Sequence, residues 1–139
     1  MSSEYIKDFD GWHPVKKRID LEARVPTIRQ REIWWCSTGV NVGIEQDGKN
    51  DLYERPVLVV RKFNRRHFLG VPLSSQLKDF PHFHSVHYKG PSDREAKERK
   101  AILSQIRSYD SVRLTRFVAR LGSKQFDELM RELHAMLDT

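Results

Sequence analysis

The chain has 139 residues, enough for one compact domain and too few for two. Its 25 basic and 19 acidic residues give a net charge of +6, which favours a polyanionic partner such as a nucleic acid or an acidic peptide. The single cysteine, Cys36, excludes an intramolecular disulfide, and no apolar run approaches the roughly 20 residues that span a membrane. Since the N-terminus also lacks the apolar core of a signal peptide, we expect a cytoplasmic protein with no membrane partner.

Residues 1–30 are predicted to form an N-terminal appendage. Within it, residues 8–24 are typical of a short helix with Pro14 in its first turn, and Pro26 would end that helix. Its apolar side would carry Trp12, Val15 and Ile19. Two interpretations stay open: a helix packed on the rest of the chain, or a disordered arm that helps to bind a nucleic acid or another partner.

The rest of the chain is dominated by short strand-like runs. They lie at about 32–37, 56–63, 66–73, 83–88, 100–106 and 115–119. The connections are rich in Gly, Asn, Asp, Ser and charged residues, which is typical of a small β-barrel. An apolar content of 38% predicts a small core, and a small barrel often completes its burial by forming a homodimer. Cys36 falls in the first run and is predicted to be a buried structural thiol.

A C-terminal amphipathic helix is the most regular pattern in the chain. Its apolar stripe carries Phe126, Leu129, Met130, Leu133 and Leu137. Ser123 is predicted to be the N-cap residue. The sequence therefore predicts a mainly β fold with an added helix.

The second and third strand-like runs are predicted to form a β-hairpin. A two-residue turn at residues 64–65 pairs Phe63 with Arg66. Carrying this register along the antiparallel pair sets Arg55 opposite Ser74, with Cβ atoms about 5 Å apart. A permanent cation and a hydroxyl would then share one face at the open end of the hairpin. A turn of odd length would move Ser74 to the other face.

Four polar signatures interrupt the apolar runs in a fixed order. They are Gly43-Ile44-Glu45-Gln46, Arg55-Pro56, Pro72-Leu73-Ser74-Ser75 and Ser104-Gln105-Ile106-Arg107. With these motifs the chain resembles the MazF/PemK family of toxin–antitoxin ribonucleases over about residues 31–137. The resemblance implies that residues 31–139 form a small SH3-like β-barrel of the CcdB/PemK type with a C-terminal helix.

The resemblance also implies an activity. It is that of a type II toxin, an mRNA interferase: a sequence-specific endoribonuclease that cuts single-stranded RNA through attack of the 2′-hydroxyl, without a metal or other cofactor, and arrests growth. The implied partners are a second copy of the chain and an antitoxin with an acidic, initially disordered segment. Two alternatives share the fold: a CcdB-like poison of DNA gyrase, and a catalytically silent nucleic-acid-binding module.

Arg55 and Ser74 are the catalytic residues that the resemblance implies. A guanidinium suits this role because its planar fork donates two hydrogen bonds to phosphate and keeps its charge. The family usually has Thr at the position of Ser74, so the hydroxyl is kept and the methyl that restricts the rotamer is lost. Without the motif, Arg55 would be an ordinary arginine at a strand start in a surface salt bridge.

Further RNA-binding residues are predicted around this pair. They are Glu45, Gln46, Lys49, Tyr53, Ser75, Gln105 and Arg107. Lys49 would contact phosphate and Tyr53 would stack a base. Gln105 and Arg107 have an equally good alternative role, holding a loop or a dimer. Some relatives have a histidine where this chain has Ile44, or an Arg-x-Asp before the glutamine, so a mechanism that uses those groups is excluded.

The histidines do not predict a metal site. His82 and His84 would face the same side of a strand and His87 the other side. No third convergent ligand is apparent from the spacing. A solvated strand face is the better interpretation.

Overall fold

The computed structural model describes residues 5–21 and 24–138. The elements in chain order are α1 (Phe9–Leu21), β1 (Glu32–Ser37), β2 (Glu54–Lys62), β3 (His67–Ser74), β4 (Phe83–Tyr88), β5 (Lys97–Ile102), β6 (Arg107–Asp110), β7 (Leu114–Arg120) and α2 (Ser123–Leu137). Two single turns of 3₁₀ helix, at Leu103–Gln105 and Ser111–Arg113, flank β6. Among the described residues, no helix is both long and apolar enough to cross a membrane.

The strands form one antiparallel sheet in the order β4-β5-β3-β2-β1-β7. Strand β3 is shared along one edge: its first half pairs with β6, and Leu73 and Ser74 pair with β5. This is possible because the 3₁₀ turn separates β5 from β6. In the part of the chain that the structure describes, β4 and β7 end the path unpaired with each other. The sheet is therefore not closed into a barrel and the predicted SH3-like barrel is not confirmed, whereas the mainly β fold with a C-terminal helix is confirmed.

The predicted run at 100–106 is also corrected. It divides into the end of β5 and a 3₁₀ turn, and the next strand, β6, was missing from the prediction. β6 has only four residues, of which only Tyr109 is fully buried. Such a segment carries no alternating pattern that a sequence analysis could detect.

The core lies on both faces of the sheet. Successive residues of a strand point to opposite faces, so Val57 and Val59 pack with Phe68 on one side, while Leu58 and Val60 belong to the cluster on the other side. Helix α2 covers this second face through Phe126, Leu129 and Leu133. Its N-cap residue is Gly122, whose carbonyl accepts a hydrogen bond from Phe126 N (2.9 Å), so the predicted cap at Ser123 is one residue too late.

Cys36 is fully buried within the first of these clusters. Burial raises the pKa of its thiol to about 12, so it is protonated at neutral pH. The predicted structural role of this cysteine is confirmed.

The β2–β3 hairpin has the predicted register at its base and a different turn. Val57 lies opposite Pro72, as the prediction requires. At the tip, Phe63 N donates to His67 O (2.9 Å), so residues 64–66 form a three-residue loop and the predicted pairing of Phe63 with Arg66 is wrong. A register shift between Val59 and Arg61 makes Val60 an extra residue in β2. The three-residue loop and the bulge each shift the strand register by one residue, in opposite directions, so the predicted register is kept at the base of the hairpin.

Helix α1 is packed on the rest of the chain. Asp8 caps it by accepting from Gly11 N (2.9 Å), and Trp12 is buried with its ring 5.5 Å from that of Tyr53. A Cβ on Gly39 would lie 2.2 Å from the Trp12 ring, so this close approach requires glycine. Pro14 is the sixth residue of the helix and lies outside its first turn. The predicted helix extends over residues 22–23, which lie outside the described residues.

Candidate nucleic-acid cleft

A cleft of about 750 Å³ opens where β2 begins and β3 ends. Its walls are the β1–β2 loop (residues 38–53), the β3–β4 loop (residues 75–82) and the N-terminal segment before α1. Six of the predicted site residues line it, namely Glu45, Gln46, Lys49, Arg55, Ser74 and Gln105. The structure thus brings together residues that are up to 60 positions apart in the sequence.

Arg55 is held at the base of this cleft by two backbone carbonyls. Its Nε donates to the carbonyl of Asp47 (2.8 Å) and its Nη1 to the carbonyl of Leu73 (3.1 Å). The described residues provide no acceptor for its other three N–H groups. Burial lowers the pKa of the guanidinium, and the nearby Asp47 carboxylate opposes this effect. Arg55 is therefore a fixed cation with donors left for a ligand.

The alternative role of Arg55, a surface salt bridge, is not what the structure shows. Within residues 5–21 and 24–138, no carboxylate forms an ion pair with its guanidinium. The preceding residue, Glu54, is buried and bound to Thr115, Arg116 and Asn50. Because the Glu54 carboxylate has its own partners, it does not pair with Arg55, and the nearby Asp47 carboxylate acts on the guanidinium only at longer range.

Ser74 and Ser75 lie on different sides of Arg55. Ser74 ends β3, lines the cleft and accepts a hydrogen bond from Gln76 N (3.2 Å). Ser75 lines a second depression of about 310 Å³, whose wall also includes Arg55 and Lys49. Alternation of side chains at a strand end explains this division. The hydroxyl of Ser74 is the one that shares the main cleft with the guanidinium.

Gln105 fixes the β1–β2 loop against the sheet. Its Oε1 accepts from Gln46 N (2.7 Å) and its Nε2 donates to Ile44 O (3.0 Å). Both polar atoms of the amide are thereby used on the loop that carries Glu45 and Gln46. Of the two roles predicted for Gln105, holding a loop is the one with contacts in the structure.

Besides Ser75, two predicted site residues, Tyr53 and Arg107, lie outside the main cleft. Tyr53 packs against Trp12, and its hydroxyl donates to Asp8 Oδ2 (2.9 Å), so its ring contacts the N-terminal helix. Arg107 lies over the ring of Tyr109, with its guanidinium carbon 4.6 Å from the ring centroid. Neither side chain lines the cleft.

The sequence analysis missed an aromatic and basic wall of the cleft. Phe80 and Phe83 form an edge-to-face pair with ring centroids 5.4 Å apart, and Lys78 Nζ lies 5.6 Å from the Phe80 centroid. All three line the cleft, and Phe80 is 55% exposed. An exposed aromatic ring beside a lysine is the usual means of binding single-stranded nucleic acid. The interleaved basic and aromatic residues of 78–83 were the available signal.

The N-terminal segment also reaches the cleft, through Tyr5 and Lys7. The Tyr5 hydroxyl donates to Asp47 Oδ2 (2.9 Å), and Lys7 Nζ lies 3.2 Å from the same oxygen. Burial, followed by the hydrogen bond to Asp47, raises the pKa of Tyr5, so the hydroxyl remains a donor at neutral pH. No pattern in the sequence marks these two residues as part of the site.

The charges on the cleft wall are mainly positive. Lys7, Lys49, Arg55 and Lys78 face the acidic Glu45 and Asp47. No three His, Cys, Asp or Glu side chains of the described residues are grouped so that they could hold a metal ion. The arrangement suits a single-stranded polyanion whose backbone meets the arginine and whose bases meet the aromatic pair.

The chain thus combines an antiparallel sheet, helix α2 on one of its faces and a cationic cleft at the base of a hairpin. A family of PemK-like, MazF-like toxins of type II toxin–antitoxin systems matches residues 29–137, and the chain belongs to this family. The predicted resemblance is confirmed. Residues 5–21 precede the matched region.

Solved structures agree with this assignment at the level of the fold. MazF from Deinococcus radiodurans has a TM-score of 0.61 and 21% identity, over 84% of this chain and 100% of that one. An endoribonuclease from a mycobacterial species has a TM-score of 0.55 and 15% identity, over 83% of this chain and 95% of that one. A mycobacterial endoribonuclease in complex with its cognate antitoxin has a TM-score of 0.52 and 16% identity, over 81% of this chain and 94% of that one. A search of curated protein sequences gave no significant match.

Proposed function

We propose that this protein is the toxin of a type II toxin–antitoxin system and acts as an endoribonuclease. It cuts single-stranded RNA at a short sequence without a metal ion and thereby arrests growth. The observation that carries the proposal is the state of Arg55, a half-buried cation at the base of the cleft. Two of its N–H groups are fixed on carbonyls, and the other three have no acceptor among residues 5–21 and 24–138. Family membership and the endoribonuclease names of two structural neighbours support it.

In the proposed reaction, the 2′-hydroxyl oxygen of a ribose attacks the adjacent phosphorus. The new bond from O2′ to phosphorus closes a 2′,3′-cyclic phosphate, the bond to O5′ breaks, and the leaving oxygen takes a proton while the 2′-hydroxyl loses one. Arg55 donates hydrogen bonds to the non-bridging oxygens, whose charge increases in the transition state. Since a guanidinium stays protonated at neutral pH, Arg55 acts as a clamp and not as the base.

The other cleft residues position the strand. Ser74 offers a hydroxyl beside Arg55, Phe80 and Phe83 stack bases, and Lys78 and Lys49 bind phosphates on either side of the cleft. Fixed donors in a partly desolvated site need no reorganisation as the charge develops. This is the basis for catalysis without a cofactor.

The same cationic cleft is the proposed site of an antitoxin. One structural neighbour is an endoribonuclease in complex with its cognate antitoxin, and another is a MazE–MazF structure from Deinococcus radiodurans. An acidic, initially disordered segment would compete with RNA for the lysines and Arg55. We further propose a homodimer that covers Phe117, because this ring is 47% exposed and packs edge-to-face on the half-buried Trp34.

Incubation of purified protein with a long RNA tests the proposal. We expect discrete fragments in the presence of EDTA, no gain on adding magnesium, and no cleavage of DNA of the same sequence. Mapping the 5′ ends of the fragments then gives the recognised sequence. Intact RNA together with inhibition of DNA gyrase, or cleavage only after magnesium is added, would contradict the proposal.

A further inference from the structure

Residues 5–12, here called the strap, lie along the β1–β2 loop and contact it near its start, in its middle and at its end. At the start of the loop, Trp12 packs on Gly39. In the middle, Lys7 Nζ donates to the carbonyl oxygens of Asn41 (2.5 Å) and Gly43 (3.0 Å). At the end of the loop, Tyr53 donates to Asp8. A loop of 16 residues that holds an active-site wall is thereby fixed along its whole length.

Asp47 joins the strap to Arg55. Its carboxylate accepts from the Tyr5 hydroxyl (2.9 Å) and pairs with Lys7 (3.2 Å), and its carbonyl accepts from Arg55 Nε (2.8 Å). The Asp47 side chain is only 10% exposed, so it has little room to adopt another rotamer. Its Oδ1 also accepts from Asn41 N (2.6 Å), so the carboxylate and the carbonyl that orients the guanidinium belong to one hydrogen-bonded unit.

Lys7 is already fully engaged by the protein. The three acceptors of its ammonium, two loop carbonyls and the Asp47 carboxylate, match its three N–H donors. Its side chain is 22% exposed, although it lines the cleft. It is thus poorly placed to bind a phosphate and well placed to hold the loop.

We propose that Lys7 and Tyr5 are positioning residues of the ribonuclease site, acting on Arg55 through Asp47. The strap is then a built-in part of the catalytic cleft supplied from outside the family match, which begins at residue 29. This inference rests on the proposed function for its effect on cleavage. The coupling of the strap to Arg55 through Asp47 can be tested without any cleavage.

The first test measures Arg55 directly. Exchange of its Nε–H with solvent is followed by ¹⁵N NMR, with the signal assigned by its loss in Arg55→Lys. Lys7→Met should speed this exchange about tenfold, since a hydrogen bond to a charged group that holds the loop is lost. Tyr5→Phe should act in the same direction with a smaller effect, and Lys7→Arg should restore part of the protection. Lys17→Met, on the exposed side of α1, is the matched control and should change nothing.

The second test measures cleavage of a short RNA under the same conditions. Lys7→Met should lower kcat about tenfold or more with a smaller change in KM, because misplacing a catalytic group by about 1 Å costs as much as 10²-fold. The melting temperature of Lys7→Met should stay near that of Lys17→Met. If Lys7→Met does not fold, the same two measurements on Tyr5→Phe decide whether the inference holds. Unchanged Nε–H exchange, or faster cleavage after loss of Lys7, would overturn the inference. If the exchange is faster in Lys7→Met but the unaltered protein leaves RNA intact, the coupling of the strap to Arg55 stands and the proposed function is rejected.

Discussion

Replacement of Arg55 by alanine is the most informative single perturbation. It removes every donor that the guanidinium offers to a phosphate, and loss of one preorganised donor of this kind costs about 10² to 10³ in rate. It also leaves the carbonyls of Asp47 and Leu73 without their donors. At about 0.5–1.5 kcal/mol for each hydrogen bond, the free energy of unfolding should fall by about 1–3 kcal/mol. The variant should therefore fold and cleave at least about 10²-fold more slowly.

The assay is single-turnover cleavage of a fluorescent RNA, with thermal unfolding measured on the same samples. Arg55→Lys is the matched variant, because it keeps the charge and loses the planar fork. We expect its cleavage rate to lie between those of the native protein and Arg55→Ala. If Arg55→Ala cleaves at the native rate, or is unfolded at the assay temperature, Arg55 is a structural residue and the proposed site is wrong.

Three further predictions concern the surroundings of Arg55. Ser74→Ala should slow cleavage less than Arg55→Ala, and Ser74→Thr should be tolerated because it restores the family's usual residue; a greater loss for Thr than for Ala in single-turnover assays would contradict this. Phe80→Ala should weaken RNA binding by about 1–3 kcal/mol in a fluorescence titration if its ring stacks a base, whereas Phe63→Ala, an exposed phenylalanine at the hairpin tip, should not. The pKa of Asp8 is lowered from 3.8, first by the hydrogen bond from Gly11 N–H and then by that from the Tyr53 hydroxyl. The Asp8 carboxylate therefore stabilises α1 fully above pH 3.8, and this stabilisation is lost as the pH falls through the lowered pKa. Acid titration should thus change the fluorescence of Trp12 below about pH 4, and Asp8→Asn should abolish that transition.

The strands and the base of the hairpin were predictable because they depend on residue alternation and on antiparallel geometry. The pairing of Val57 with Pro72 follows from such a pattern. The tip was not predictable, since an odd loop and a bulge at Val60 cancel each other and leave the pattern of the strands unchanged. Whether the sheet closes and whether β6 forms depend on contacts between distant segments, which local sequence patterns do not show.

The residues of the site divide in the same way. Arg55, Ser74 and the β1–β2 loop were predicted because they belong to motifs at strand ends. Tyr53 was assigned to RNA because an exposed tyrosine in a basic loop looks the same in sequence whether it meets a base or Trp12. The strap was missed because its place in the cleft arises only from folding, whereas the Phe80 wall was missed although basic and aromatic residues alternate in 78–83.

The central claim is that the cleft around Arg55 cuts RNA by attack of the 2′-hydroxyl. The most direct measurement compares two RNAs in EDTA, one all-ribose and one with a single deoxyribose on the 5′ side of the mapped cleavage site. The claim predicts that the first gives a product ending in a 2′,3′-cyclic phosphate or 3′-phosphate and that the second stays intact at that bond. Cleavage of the deoxyribose-containing RNA at the same bond would contradict it.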